Sequence, residues 1–61
     1  MRNKYTLTVI KDKRVTRHME DIELDLAIDY FKIYNSPDYY VTVSDMDTNS
    51  PILFKREGVR I

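Results

Sequence analysis

Residues 22–35 read IELDLAIDYFKIYN. At roughly 100° per residue, Leu24, Ala27, Ile28, Phe31 and Tyr34 share one stripe, and Leu26, Tyr30 and Ile33 widen it on one side. Only Asp25, Asp29 and Lys32 remain for a polar arc. The spacing predicts a helix over this stretch. Asp21 is placed to cap it, because its carboxylate can accept from the free N–H groups of the first turn. Glu23 and Asp25 sit where the helix dipole favours negative charge. Asn35-Ser36-Pro37-Asp38 ends it, since Pro37 drives Ser36 out of the α region.

The segments on either side alternate with the period of a strand. Tyr5 to Ile10 places Tyr5, Leu7 and Val9 on one face and Thr6 and Thr8 on the other. After the polar Lys11-Asp12-Lys13, the run from Arg14 to Met19 alternates again, with Val15 and Met19 against Thr16 and His18. Together they predict a hairpin, although its turn lacks the Asn-Gly or Asp-Gly pair that favours one. Beyond the helix, Tyr39-Tyr40-Val41-Thr42-Val43 is wholly aromatic or β-branched, as strands prefer. Asp45 to Pro51 reads as a turn, Ile52-Leu53-Phe54-Lys55 as a last short strand, and Gly58 breaks it before a Val59-Arg60-Ile61 tail. The order ββαββ predicts an α+β domain: a four-stranded antiparallel sheet in the order 2-1-3-4, with one helix on one face. The expected core is Leu7, Val9, Val15, Leu24, Ala27, Ile28, Phe31, Val41, Val43, Ile52 and Phe54.

At 61 residues the chain makes one domain, residues 1–61, with stability on the order of 3–9 kcal/mol. It has no cysteine, which excludes disulfides and thiolate metal sites. No apolar run approaches the roughly 20 residues of a membrane span, and Tyr5 to Ile10 is too short for a signal-peptide core. A cytoplasmic protein that engages no membrane is expected. Net charge is zero, yet charge is segregated: residues 1–19 carry six Lys/Arg and one Asp, and residues 20–47 carry eight Asp/Glu and one Lys. The bland account is an acidic helix start beside a basic hairpin. The sharper one is a molecule with an acidic and a basic pole, able to steer a charged partner.

Little in the chain resembles catalytic chemistry. His18 is the only histidine; it lies beside Arg17 in a strand, with no nucleophile near it in sequence. Asp45-Met46-Asp47-Thr48-Asn49 opens like a calcium loop, but Ser50 stands where glycine is needed and Arg56 where a bidentate Glu is needed. A hairpin turn rich in Asx residues is the expectation. Asp25 and Asp29 share a helix face among the acids Glu20, Asp21 and Glu23, but two carboxylates without a histidine make only a weak magnesium site. We therefore expect no catalytic residues, no metal, no cofactor and no small-molecule substrate.

Two surfaces remain. The apolar arc of the helix spans roughly 220°, against the roughly 100° that one sheet face needs. Leu26, Tyr30 and Ile33 are the surplus. Either the Val59–Ile61 tail covers them, or another molecule does, as a second copy in a homodimer or as a foreign protein. The alternative surface is the basic hairpin, Lys11, Lys13, Arg14 and Arg17, which could follow nucleic-acid phosphates. The acidic middle of the chain and a pI near 6.5 weigh against that alternative.

The stretch Leu24-Asp25-Leu26-Ala27-Ile28-Asp29, leading through Pro37 into Tyr39-Tyr40-Val41-Thr42-Val43 behind a hairpin, resembles several very small phage-encoded proteins that block host enzymes. Inhibitors of host RNA polymerase and of uracil-DNA glycosylase are examples. The likeness is one of architecture, over about two-thirds of the chain. It implies a phage or prophage origin and binding to, and inhibition of, a host protein in the host cytoplasm; no residue role carries over.

Overall fold

The computed structural model describes residues 4–59. Its elements are β1 (Tyr5–Lys11), β2 (Arg14–Ile22), α1 (Leu24–Ile33), β3 (Tyr40–Asp45) and β4 (Pro51–Lys55). The strands form one antiparallel sheet in the order β2-β1-β3-β4, so the chain is an α+β domain with β1 and β3 at its centre.

The helix lies over the two central strands, and that contact holds the core. Leu7 and Val9 of β1, Val41 and Val43 of β3, Ile22 and Ala27 are buried. Tyr5, Met19, Tyr30, Phe31, Tyr34, Tyr39 and Leu53 pack around them half-buried. Leu7 stands opposite Val43 and Val9 opposite Val41, so the four largest apolar side chains in full burial form two cross-strand pairs. Ala27 admits the helix closely, because a methyl group is all that separates its backbone from the sheet.

Four expected core residues are exposed, and a fifth, Ile28, is half-buried outside the core cluster. Val15 is 63% exposed. Its strand gains a residue against β1: Arg17 pairs with Val9 and Val15 with Ile10, which leaves Thr16 bulged out. The bulge reverses the alternation, so Val15 joins the open face and Arg17 the helix face. A second irregularity, where Tyr5 pairs with Ile22 and Leu7 with Met19, reverses it again and brings both Met19 and Ile22 onto the core. Asp21 takes a positive φ of 59° there. It is therefore part of β2 and not the helix cap; Glu23 holds the N-cap position, without a capping hydrogen bond from its side chain.

Ile52 and Phe54 are also exposed, because β4 has the opposite phase: Leu53 pairs with Val43 and Lys55 with Val41 on the helix side. Ile52, Leu53 and Phe54 are all apolar, so their alternation cannot choose a face. Leu24 is 37% exposed, since the helix is turned toward Tyr30 by comparison with the expected stripe.

The first hairpin turns on Asp12 and Lys13, whose φ values of 53° and 64° are those of a type I′ turn. Lysine pays for that conformation where glycine would not. Lys13→Gly should raise stability by about 0.5–1 kcal/mol, seen as a higher urea midpoint at unchanged slope. In the same assay Val43→Ala should cost about 1–3 kcal/mol, and Leu24→Ala less than about 1 kcal/mol. A Leu24→Ala loss as large as that of Val43→Ala would contradict the observed helix phase.

Candidate functional site

The strand register sorts the charge into two ends. Lys11 pairs with Arg14, and Ile10 with Tyr40, so the first hairpin, the helix C-terminus, the start of β3 and the end of β4 lie together. This end carries exposed Lys11, Lys13, Arg14, Arg17, Lys32 and Arg56, against Asp12, Asp38 and Glu57. The other end gathers Glu20, Asp21, Glu23, Asp25, Asp45 and Asp47, with Lys4. The Asp21 N–H lies 3.1 Å from the Met46 sulfur, which ties the two acidic loops together. In a body 36 Å long the segregation seen along the chain becomes a separation in space.

At the basic end, cations and tyrosines interleave on the helix side. Arg17 Nε donates to the Tyr34 hydroxyl at 3.0 Å, and its guanidinium lies 5.2 Å from the centre of the Tyr30 ring. The Tyr34 hydrogen bond keeps Arg17 still more firmly charged than usual. Lys11 Nζ stands 5.6 Å over Tyr39, whose ring meets Tyr34 edge to face at 5.0 Å. Arg17 and Lys11 thus lean on this domain's own rings, while Lys13 and Arg14 occupy the turn and the start of β2.

Beneath that cluster lies a buried lysine at the end of β4, where the sequence pattern shows only an ordinary strand. Lys55 is 2% exposed. Its ammonium donates to the carbonyls of Ser36 and Tyr39, and to those of Val59 at 3.1 Å and Arg56 at 3.5 Å. It joins the helix–β3 loop to the C-terminal turn, with help from the Gly58 N–H, which donates to the Pro37 carbonyl at 2.7 Å. No period-based signal could have found it, because its acceptors are backbone carbonyls, two of them, Ser36 and Tyr39, distant in sequence. Burial lowers its pKa, with Glu57 and Asp38 opposing.

The helix flank is open. Leu26 is 42% and Ile33 67% exposed, seven residues apart and so on nearly one line of the helix. Tyr30 does not stand out with them: it is half-buried, packed on the core and beneath Arg17. The tail, as far as Val59, folds toward residues 36–39 and leaves Ile33 uncovered. The rest of that expectation concerns Arg60 and Ile61, which lie outside the described residues.

The opposite face of the sheet has no helix over it. Across it run His18, Thr8, Thr42 and Phe54 in one row, and Val15, Ile10 and Tyr40 in the next. Thr8 Oγ1 and His18 Nδ1 are 3.0 Å apart, and His18 Nε2 lies 3.1 Å from Glu20 Oε2. Strand pairing brings Thr8 to His18, and Glu20 follows two residues along the same strand. His18 and Glu20 are open to water, where a contact between polar side chains is screened and adds little.

The Asp45–Asn49 stretch is an Asx turn. Asp45 Oδ1 accepts from the N–H groups of Asp47 at 2.8 Å and Thr48 at 3.4 Å, and the Asp45 carbonyl accepts from the Asn49 N–H at 2.7 Å. Among the described residues no three His, Asp or Glu side chains group as metal ligands, and no helix is long and apolar enough to cross a membrane. Comparison with protein-family models, with curated proteins and with solved structures returned no match.

Lys55→Met should cost about 1–3 kcal/mol by stranding carbonyls that the ammonium now satisfies. The pH dependence follows from its lowered pKa. Below the folded value both states hold the proton; between the folded and unfolded values only the unfolded chain does, so stability attributable to this group rises with pH through that window. The parent minus Lys55→Met difference, from urea melts at mildly and strongly alkaline pH, should grow in that direction.

Proposed function

We propose that this chain is a non-catalytic protein-binding module, comparable to the small phage accessory proteins that bind and inhibit a host protein, and that Leu26 and Ile33 are the centre of its contact. The observation that carries the reading is their exposure on one line of α1, with the described chain folding elsewhere. Two large aliphatic side chains left this exposed contribute little to the domain's stability. Fully buried in an interface, each would contribute roughly 1.5–3 kcal/mol.

The charge beside them favours a foreign partner over a second copy. Helical spacing puts Asp29, and then Asp25, on the polar side of the Leu26–Ile33 line. In a symmetric pairing through this flank, the carboxylates of the two copies would be brought together and repel. A partner with an apolar patch bordered by Lys or Arg would meet the same rim favourably. Tyr30 supports the contact from beneath, and Arg17 holds its ring in place.

The test is Leu26→Glu combined with Ile33→Lys. Both positions are exposed, so the variant should keep the parent's circular dichroism spectrum and melt within about 0.5–1 kcal/mol of it. The parent should sediment as a monomer and capture a protein from bacterial lysate that the variant fails to capture. Equal capture by both would remove the helix flank as the contact, and loss of folded structure in the variant would show that these residues belong to the core.

A further inference from the structure

We infer that the open face of the sheet, at its basic end, is a platform for a short run of single-stranded nucleic acid lying across the strands. This surface is distinct from the helix flank, and the inference stands or falls independently of the protein-binding reading.

The face has the two components that sequence-tolerant binding to a single strand requires: rings open to solvent, and cations at their border. Phe54, opposite Thr42, is 53% exposed. Tyr40, half-buried, lies two residues from Thr42 along β3, in the row nearest the hairpin, so the two rings are diagonal neighbours. His18 closes the Phe54 row at the other edge, and the Thr8 and Thr42 hydroxyls lie between them. Val15 and Ile10 continue the Tyr40 row. A row of this kind offers π-faces and apolar surface for stacking, interrupted by groups that can hydrogen-bond base edges.

Charge sets the direction of the bound strand. Lys13 at the hairpin turn and Arg56 after β4 border the face, while Arg14, which pairs with Lys11 on the helix side, adds its charge to the same end. The far end of the same strands holds Glu20, Asp45 and Asp47. A phosphate chain running along the strands would pass from cations to carboxylates. One running across them, from β2 to β4, keeps close to the basic end and meets a carboxylate only at Glu20, beside His18. Four strands set roughly 4.8 Å apart give a track of about 14 Å, enough for on the order of three or four nucleotides. A duplex cannot present its bases to a flat sheet without unpairing, so it would gain the cations but not the rings. Arg17 and Lys11 contribute to the field of this end, but their side chains are engaged with Tyr34, Tyr30 and Tyr39 on the helix side.

Fluorescence anisotropy with a labelled oligothymidylate, and with a duplex of equal length, tests the inference. Binding should be weak, stronger for the single strand, and should fall with salt at a slope of about −2 to −3 in log–log terms, as three or four phosphate contacts require. Phe54→Leu keeps an apolar side chain at an exposed position but removes the π-face; it should weaken binding at least about fivefold and leave the salt slope unchanged. Lys13→Gly with Arg14→Gln and Arg56→Gln should flatten the slope by about two. Leu26→Glu with Ile33→Lys should leave oligonucleotide binding as in the parent. Absence of oligothymidylate binding at low salt overturns the inference. So does binding that Phe54→Leu leaves untouched, or binding in which the duplex is held as tightly as the single strand.

Discussion

One helix of ten residues has to serve a sheet of four strands. At 1.5 Å per residue it is about 15 Å long, which covers the two central strands on one face and no more. Everything distinctive about the molecule follows from that shortage. Leu7, Val9, Val41 and Val43 are sealed beneath the helix, while β2 and β4 have to manage their own exposure at the edges and the second face stays in water.

The edges are managed by irregularity. Both carry a register shift, Thr16 being extruded from β2 and Ile52 from β4, and β4 begins with Pro51, which offers no N–H. Such features blunt an edge against pairing with another sheet. In β2 the two shifts do more. They move Arg17 to the helix side, where it locks Tyr30 and Tyr34, and they return Ile22 to the core just before the helix starts. At the opposite edge Lys55 replaces an apolar side chain in the helix-side layer, and gathers carbonyls of loops that the short helix cannot shelter. A buried ammonium fits there because its hydrogen bonds are made, and a methylene stem packs much as an aliphatic residue would.

The two surfaces proposed for binding are consequences of the same shortage. The helix is narrow enough that its flank, Leu26 and Ile33, points away from the sheet, and the sheet is wide enough that its second face is open. They differ in chemistry. The flank is aliphatic with an acidic border, suited to a protein with basic residues around an apolar patch. The open face is aromatic and hydroxylic with a basic border, suited to a polyanion that has rings of its own. The polar ends of the molecule would orient either partner before contact.

Sequence by itself determined the order ββαββ, the sheet order, the phase of β1 and β3, the polar ends and the surplus of apolar residues on the helix. Each of these rests on local periodicity or on chain connectivity, both of which are written in consecutive residues. Tertiary structure decided the faces of Val15, Ile52 and Phe54, the helix start, the burial of Lys55 and the meeting of Thr8 with His18. Those depend on where a strand gains one residue against its neighbour, and a gain of one residue reverses every side chain beyond it. Nothing in the local pattern marks the spot: Arg14 to Met19 alternates without a break, and Ile52-Leu53-Phe54 is apolar throughout. The choice is made by the partner strand and by the carbonyls that Lys55 reaches, and these meet only when the chain has folded.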